Sequence, residues 1–264
     1  MNPADYETIL VEREGRVLKL TMNRPDTLNA VNSTMHEELS RVFTDAQNDK
    51  ESDIVVLTGA GRGFSAGGDV DWFQESIDDP SIFEAVAVEG KQIVYSLLDL
   101  EKPIIAKING PAMGLGATIA LFCDVIFADE EAKIADPHVR VGLVAGDGGA
   151  VIWPQLIGYA RAKEYLMTGD AITGKDAEAI GLINHAVPRD ELDARTDAFV
   201  QKLLAGAMKS IRWTKVATNI GLKHLAHNIM DIGIAYELQT NISEDHQEAV
   251  NAFRDKRKPN FTGK

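Results

Sequence analysis

The sequence predicts an α/β fold with mainly parallel strand pairing, extended by a helical C-terminal region. Three observations carry that reading. Short β-branched runs alternate with helix-length segments through about residue 190. Two of the strand-to-helix junctions are rich in glycine, which lets a chain turn with positive φ. From Glu191 onward every segment reads as helix. The chain is therefore expected to divide into a core over 1–190 and an appended helical region over 191–264, suited to oligomer contacts or to a lid. At 264 residues it is long enough to bury a sizeable core.

Residues 9–22 read as two strands that meet at Glu14 and Gly15. Thr34 followed by Glu37 has capping-box spacing and opens a helix running toward Asp45. A strand is expected over 54–58, followed by a glycine-rich stretch from Gly59 to Gly68 and a helix over 81–98. The strand over 103–108 leads into the second glycine-rich turn, a helix over 115–122 and a strand over 125–128. Four further helices are expected over 192–205, 210–225, 229–242 and 247–257. No low-complexity linker and no short-period repeat interrupts the pattern.

Composition excludes several functions. Hydrophobic residues at 45% and charged residues at 25% are ordinary for a globular protein. A formal net charge of −13 argues against nucleic acid, which needs a basic footprint. The one basic cluster, Arg254, Lys256, Arg257 and Lys258, has two open readings: a hold on a phosphorylated small molecule, or a solvated helix end. The single cysteine, Cys123, lies in an apolar run and reads as a small core residue of a protein in a reducing compartment. Residues 1–6 lack the features of a secretory signal, and no apolar run approaches a membrane span. A cytoplasmic location, without nucleic-acid or membrane partners, is expected.

The two glycine turns, Phe64-Ser65-Ala66-Gly67-Gly68-Asp69 and Gly110-Pro111-Ala112-Met113-Gly114-Leu115-Gly116-Ala117, are the most informative segments. The first N–H groups of a helix lack internal partners and point outward. Two of them converging on one carbonyl oxygen would form an oxyanion hole. Either turn alone reads equally as a tight strand–helix junction. A dinucleotide site is a poor match, because Ile119 stands where a third glycine belongs.

Together with Asn23-Arg24-Pro25, Leu28-Asn29-Ala30 and the stretch from Phe253 to Phe261, these turns resemble the crotonase (enoyl-CoA hydratase/isomerase) superfamily along essentially the whole chain. The resemblance implies a spiral of ββα units, with a helical C-terminal region that packs a homotrimer or a dimer of trimers. It implies oxyanion donors at the backbone N–H groups of Ala66 and Leu115. It places Arg24, Arg62, Lys258 and Phe261 against the nucleotide end of coenzyme A. Coenzyme A enters as part of the substrate; no separate cofactor and no metal are expected.

At the two positions where a hydratase of this family carries catalytic glutamates, this chain has Thr118 and His138. Threonine is not a plausible base at neutral pH, whereas histidine is. His138 and Asp147 flank a short loop with glycines at 142 and 146 that can fold back and pair them, the carboxylate fixing the imidazole tautomer. Bland readings stand beside this: Asp147 as a helix N-cap, His138 as a satisfied core histidine. Glu237 lies at the margin of an apolar helix face, where burial would raise its pKa. His138, Asp147 and Glu237 resemble the carbon–carbon hydrolase branch exemplified by 6-oxocamphor hydrolase. His36 matches a histidine of that branch but reads as a helix-surface residue. Trp72, Phe73 and Trp153, together with Thr118 and, as the other reading of that residue, His36, are candidates for the pocket wall.

Three functions follow. The first is an acyl-CoA enzyme working through a stabilised enolate, with His138 and Asp147 in place of two glutamates. The second is a retro-Claisen hydrolase of a β-diketone. The third is a coenzyme A-binding scaffold that has lost catalysis.

Overall fold

The computed structural model describes residues 1–264. Strands β1 (Ile9–Glu14) and β2 (Val17–Met22) form an antiparallel hairpin whose turn places Gly15 at φ +56. Helix α1 (Ser33–Asn48), β3 (Ile54–Gly59), α2 (Val70–Asp78) and α3 (Ile82–Asp99) follow. Then come β4 (Ile104–Ile108), the short β5 (Ala112–Met113), α4 (Leu115–Leu121), β6 (Val125–Asp129) and β7 (Lys133–Ala135). Helices α5 (Gly149–Ile157) and α6 (Tyr159–Thr168) lead to β8 (Ile172–Thr173), α7 (Gly174–Ala179) and β9 (His185–Val187). Helices α8 (Leu192–Leu204), α9 (Met208–Asn241) and α10 (Glu244–Arg254) complete the chain.

Two ladders grow side by side. The larger sheet runs β1-β2-β3-β4-β6-β9, parallel from β2 onward. The smaller one pairs β5, β7 and β8 and is extended by single bridges, Val31 with Gly68 and Ser65 with Ala112. Successive passes through residues 17–31, 54–68, 104–113 and 125–135 each add a rung to both ladders. This is the ββα spiral expected.

Strand composition follows from burial on both faces. Val55, Leu57, Ile104, Ala106, Ile126 and Ala128 face the main core. Their alternating neighbours Ile54, Val56, Ile105 and Phe127 pack with Leu192 and Val200 of α8. Trp153 is fully buried in the main core.

Helices α6 and α7 were not anticipated, and three further helices differ from expectation. The first cap is Asn32, whose side chain accepts the Met35 N–H at 3.0 Å, so α1 begins before Thr34. Helix α2 was not anticipated; its nine residues of mixed polarity give little period, and Asp69 starts it by accepting the Asp71 N–H. The two helices expected over 210–225 and 229–242 are one 34-residue helix, α9. Residues 226–228 contain no proline or glycine, and Ala226, Met230 and Ile234 carry the buried stripe across the supposed break. Helix α9 packs along α3, which itself packs on α1, and these layers close over one end of the spiral. No helix is long and apolar enough to cross a membrane.

Candidate active site

The two glycine turns meet. The Met113 N–H donates to the Ser65 carbonyl at 2.9 Å, and a β-carbon at Gly67 would lie 3.0 Å from the Met113 carbonyl oxygen. Gly114 turns the chain at φ +51, ψ −125, a conformation that disfavours any side chain. Helix α4 starts at once, so the N–H of Leu115 has no partner inside the chain. Leu115 borders an inner cavity of about 80 Å³.

Ala66, the expected second donor, is already engaged: its N–H donates to the Leu28 carbonyl at 2.9 Å. The free donor is two residues on. Val31 pairs with the turn by taking the Asp69 N–H and donating to the Gly67 carbonyl. The residue between them, Gly68, therefore presents its own N–H to the other side. That N–H meets no protein acceptor, and Gly68 borders the same cavity as Leu115. Only the register of the Val31 bridge decides between the two positions, and sequence alone does not contain it.

The opposite wall carries the titratable groups. His138 opens a 3-10 turn after β7, and its Nδ1 lies 2.5 Å from Asp136 Oδ1. Asp136 is fully buried, in a space that exists because residue 149 is glycine; a β-carbon there would lie 1.9 Å from Asp136 Oδ2. Asp136 was not singled out from the sequence, although an acid two residues before a histidine was visible. It, rather than Asp147, orients the imidazole. Asp147 faces the other ring nitrogen, its Oδ2 at 3.5 Å from Nε2. Its Oδ1 accepts from Thr118 Oγ1 at 3.2 Å and from the Gly149 N–H at 3.3 Å. Asp147 thus supports the start of α5 and reaches the site with its second oxygen, which is buried without a hydrogen-bond partner. Thr118 is fully buried behind Asp147 and does not border the cavity.

Glu237, from α9, completes the group. Burial pushes its pKa up to about 8, against the opposing pull of His138, and Asp147 and Asp136 add to the rise. Burial alone would lower the His138 pKa, but Asp136 and Asp147 override it and hold it well above the usual histidine range. Burial also raises the Asp147 pKa, with His138 opposing. One imidazole among three buried carboxylates keeps protons at neutral pH. Such a site can both give and take them.

Ligand atoms of Asp136, His138 and Asp147 lie within 4.8 Å of one another. Asp136 is nonetheless bonded directly to Nδ1 while Asp147 faces Nε2, so the three do not converge on one point as a cation cage requires. The three stand in a row, Asp136 on one ring nitrogen and Asp147 facing the other.

His36 is not on the helix surface. It is 3% exposed, borders the cavity beside Trp72, and its Nδ1 lies 2.6 Å from Glu89 Oε2. Phe73 also lines the wall, whereas Trp153 stands in the core against Tyr165.

Gly68, Phe73 and His138 also border an outer groove of about 710 Å³. Arg62 lines this groove, with Phe253, Arg254 and Lys256 from the C-terminal end. Arg24 does not: its Nη1 bonds Asp69 Oδ2 at 2.9 Å and the Ala30 carbonyl, which fastens the first turn to α2. Lys258 and Phe261 lie on the tail, outside the groove within one chain. That tail folds back on α10 through the Asn260 N–H to Glu248 at 2.8 Å and the Thr262 N–H to Asp245 at 2.6 Å. The basic cluster therefore splits. Arg254 and Lys256 border the groove, Arg254 paired there with Asp71 at 2.9 Å, and Arg257 is paired with Glu248 and Asp255.

Burial pushes the Cys123 thiol well up, which makes it a core residue and not a nucleophile.

Residues 12–264 match the family model described as enoyl-CoA hydratase/isomerase. A crotonyl-CoA hydratase of Syntrophomonas wolfei is 33% identical over 98% of this chain and 99% of its own. Among solved structures, an enoyl-CoA hydratase/isomerase of Mycobacterium paratuberculosis superposes with a TM-score of 0.90, at 37% identity over 94% of this chain and 99% of the other. A β-diketone hydrolase of the cyanobacterium Anabaena, bound to (S)-3-oxocyclohexyl acetic acid, gives a TM-score of 0.84 at 28% identity, over 90% of this chain and 96% of its own.

Proposed function

The chain belongs to the enoyl-CoA hydratase/isomerase family, and from that premise we propose that it acts on an acyl-CoA thioester through an enolate held by the N–H groups of Gly68 and Leu115. The observation that carries this reading is the junction of the two cavities. The free donors stand where a small chamber, apolar apart from its titratable wall and a few polar side chains, meets a large groove whose lining includes Arg62, Arg254 and Lys256 as well as Asp26, Asp69 and Asp71. A thioester fits that junction, with its acyl group inward and its phosphate-bearing carrier along the cations.

In the addition direction, water attacks the β-carbon of an α,β-unsaturated thioester and gives its proton to Asp147 Oδ2. The π electrons move onto the thioester oxygen between the two N–H groups. His138 Nε2–H then protonates the α-carbon. A proton passing from Asp147 to His138 restores both. Asp136 holds the ring orientation throughout, and protonated Glu237 keeps a further negative charge out of the site. An isomerisation uses the same groups, with a substrate carbon in place of water as the proton source.

Titration with short acyl-CoA thioesters by calorimetry, followed by mass analysis of products from enoyl thioesters, tests this directly. Binding in the micromolar range and gain of one water, or an isobaric shift of the double bond, is expected. His138→Ala and Asp147→Asn should each cost at least about a hundredfold in kcat. Absence of binding by every thioester at millimolar concentration defeats the reading.

One observation favours a second reading. The protonated His138 beside Asp147, and the likeness to a β-diketone hydrolase, suit attack of water on a ring ketone, with a carbon–carbon bond breaking and the departing enolate held by the same two donors. Ring opening of cyclic β-diketones, with no turnover of any thioester, would select it.

A further inference from the structure

Helix α3 turns four residues toward the inner cavity, Phe83, Val86, Ala87 and Gly90, at the i, i+3, i+4, i+7 spacing of one helix face. Side-chain size falls along that stripe, from a phenyl ring to a hydrogen atom. Gly90 is the member that needs a reason, because it stands in the middle of an 18-residue helix, where glycine is less stable than alanine. Close approach of another backbone explains Gly233 of α9, where an added β-carbon would lie 3.1 Å from the Gly146 carbonyl oxygen. No such approach exists at Gly90. A β-carbon there would meet one neighbour, Ile234 Cδ1 at 3.9 Å, an ordinary van der Waals distance. Positive φ is not the reason either, since Gly90 is not among the glycines that adopt it. Yet Gly90 is buried and borders the cavity. The missing side chain therefore faces empty space inside the protein, and that space is part of the cavity.

The space lies on the acid side of the chamber. Ile234, across from Gly90, is one turn from Glu237 on α9, and both border the cavity. One turn further along α3, Val94 packs beside Asp147: its Cγ2 lies 3.1 Å from where a β-carbon of Gly148 would stand. The whole chamber is about 80 Å³, room for roughly three groups of water size at about 30 Å³ each. A methyl group on residue 90 would take roughly a third of it. The atom nearest the gap is a methyl of Ile234, so a hydrocarbon group suits it.

We propose that Gly90 is a specificity-determining residue, whose missing side chain makes room for a methyl branch at the β-carbon of a short acyl chain. In the chemistry proposed above the β-carbon is the atom beside Asp147, and Gly90 opens the chamber on that side. A straight chain of the same length leaves the gap unfilled, and the atoms around a void lose their contacts on one side. Glycine at position 90 thus trades helix stability for the shape of the substrate. The inference rests on the acyl-CoA reading and names the acyl class within it.

The test measures dissociation constants of butyryl-, 3-methylbutyryl- and hexanoyl-CoA, saturated thioesters with no double bond to hydrate, in the wild type and in Gly90→Ala. The wild type is expected to bind 3-methylbutyryl-CoA about fourfold more tightly than butyryl-CoA, the worth of one buried methyl. Gly90→Ala should weaken the branched thioester at least about tenfold and the straight one less than about threefold, because only the branch meets the new methyl. The same variant should melt about 2 °C higher, since alanine suits a helix interior and displaces no protein atom here. A lower melting temperature, or failure to fold, would mean that residue 90 packs against protein and overturns the inference. Equal affinity of the wild type for branched and straight thioesters overturns it, and so does an equal loss of both in Gly90→Ala. Tightest binding of hexanoyl-CoA, abolished in Gly90→Ala, would assign the gap to chain length and overturn the branch. All of these leave the thioester reading intact. Failure of every thioester to bind the wild type overturns that reading and this inference with it.

Discussion

At the residue scale, the site is a problem in counting protons. Asp136, Asp147 and Glu237 surround one imidazole, and burial raises the pKa of both Asp147 and Glu237. Glu237 keeps its proton up to about pH 8 in the folded chain, whereas an ordinary glutamate loses it near 4.5. The folded state thus binds more protons than the unfolded state between those values, and stability falls as pH rises through that window. Glu237→Gln removes this dependence. It should match the wild type below about pH 4.5 and exceed it by roughly 3 kcal/mol at pH 7, with the gap widening until about pH 8, read from urea unfolding at several pH values. A constant difference across the range would contradict the burial of an ionisable group. Asp136→Asn takes away the main charge that raises His138, so the pH profile of kcat should move toward lower pH. A profile that drops in height without moving would make Asp136 merely structural. His138 was legible because it occupies a position where glutamate would be ordinary, Asp147 because it flanks the same glycine-bearing loop, and Glu237 because it stands at the margin of an apolar helix face. Gly68 was not, because Ala66 and Gly68 are separated only by the pairing register of Val31.

At the scale of elements, short and long helices were read poorly for opposite reasons. Helix α2 is too brief to show a period, yet it supplies Trp72 and Phe73 to the cavity. Helix α9 is longer than any pattern suggested, because its buried stripe follows α3 rather than an internal punctuation mark. What holds α2 in place is Asp69, which caps it and also pairs with Arg24. The two arginines first assigned to coenzyme A should therefore behave differently. Arg24→Ala is expected to cost about 1 kcal/mol of stability and to leave the salt dependence of thioester affinity unchanged. Arg62→Ala should keep the melting temperature and flatten that salt dependence. Calorimetry at two ionic strengths separates them; the reverse pattern would restore Arg24 to the carrier groove.

At the scale of the molecule, the sequence was most readable. The alternation of strands and helices, the two glycine turns and the helical C-terminal region all stand where composition and periodicity put them, because parallel strands covered on both faces leave long apolar runs. Assembly is a proposal. Trp213, Ile220, Ile232 and Tyr236 of α9, with Tyr159 and Met167 of α6, are large apolar side chains left exposed on one chain. They suit the trimer expected for this family, and light scattering on the purified protein should give three chains, or six, per particle. A stable monomer with full activity would contradict it. The outer groove mixes signs, with Asp26, Asp69 and Asp71 beside Arg62, Arg254 and Lys256, so the pull on an anionic carrier rests on those cations one by one and not on a positive patch.

The measurement that bears most directly on the central claim is a crystal structure with a non-hydrolysable acyl-CoA analogue bound. The thioester oxygen should lie about 3 Å from the main-chain nitrogens of both Gly68 and Leu115, with the carrier along Arg62 and Lys256. An oxygen held by any other pair of donors, or an analogue bound away from the Gly68 turn, would contradict the account.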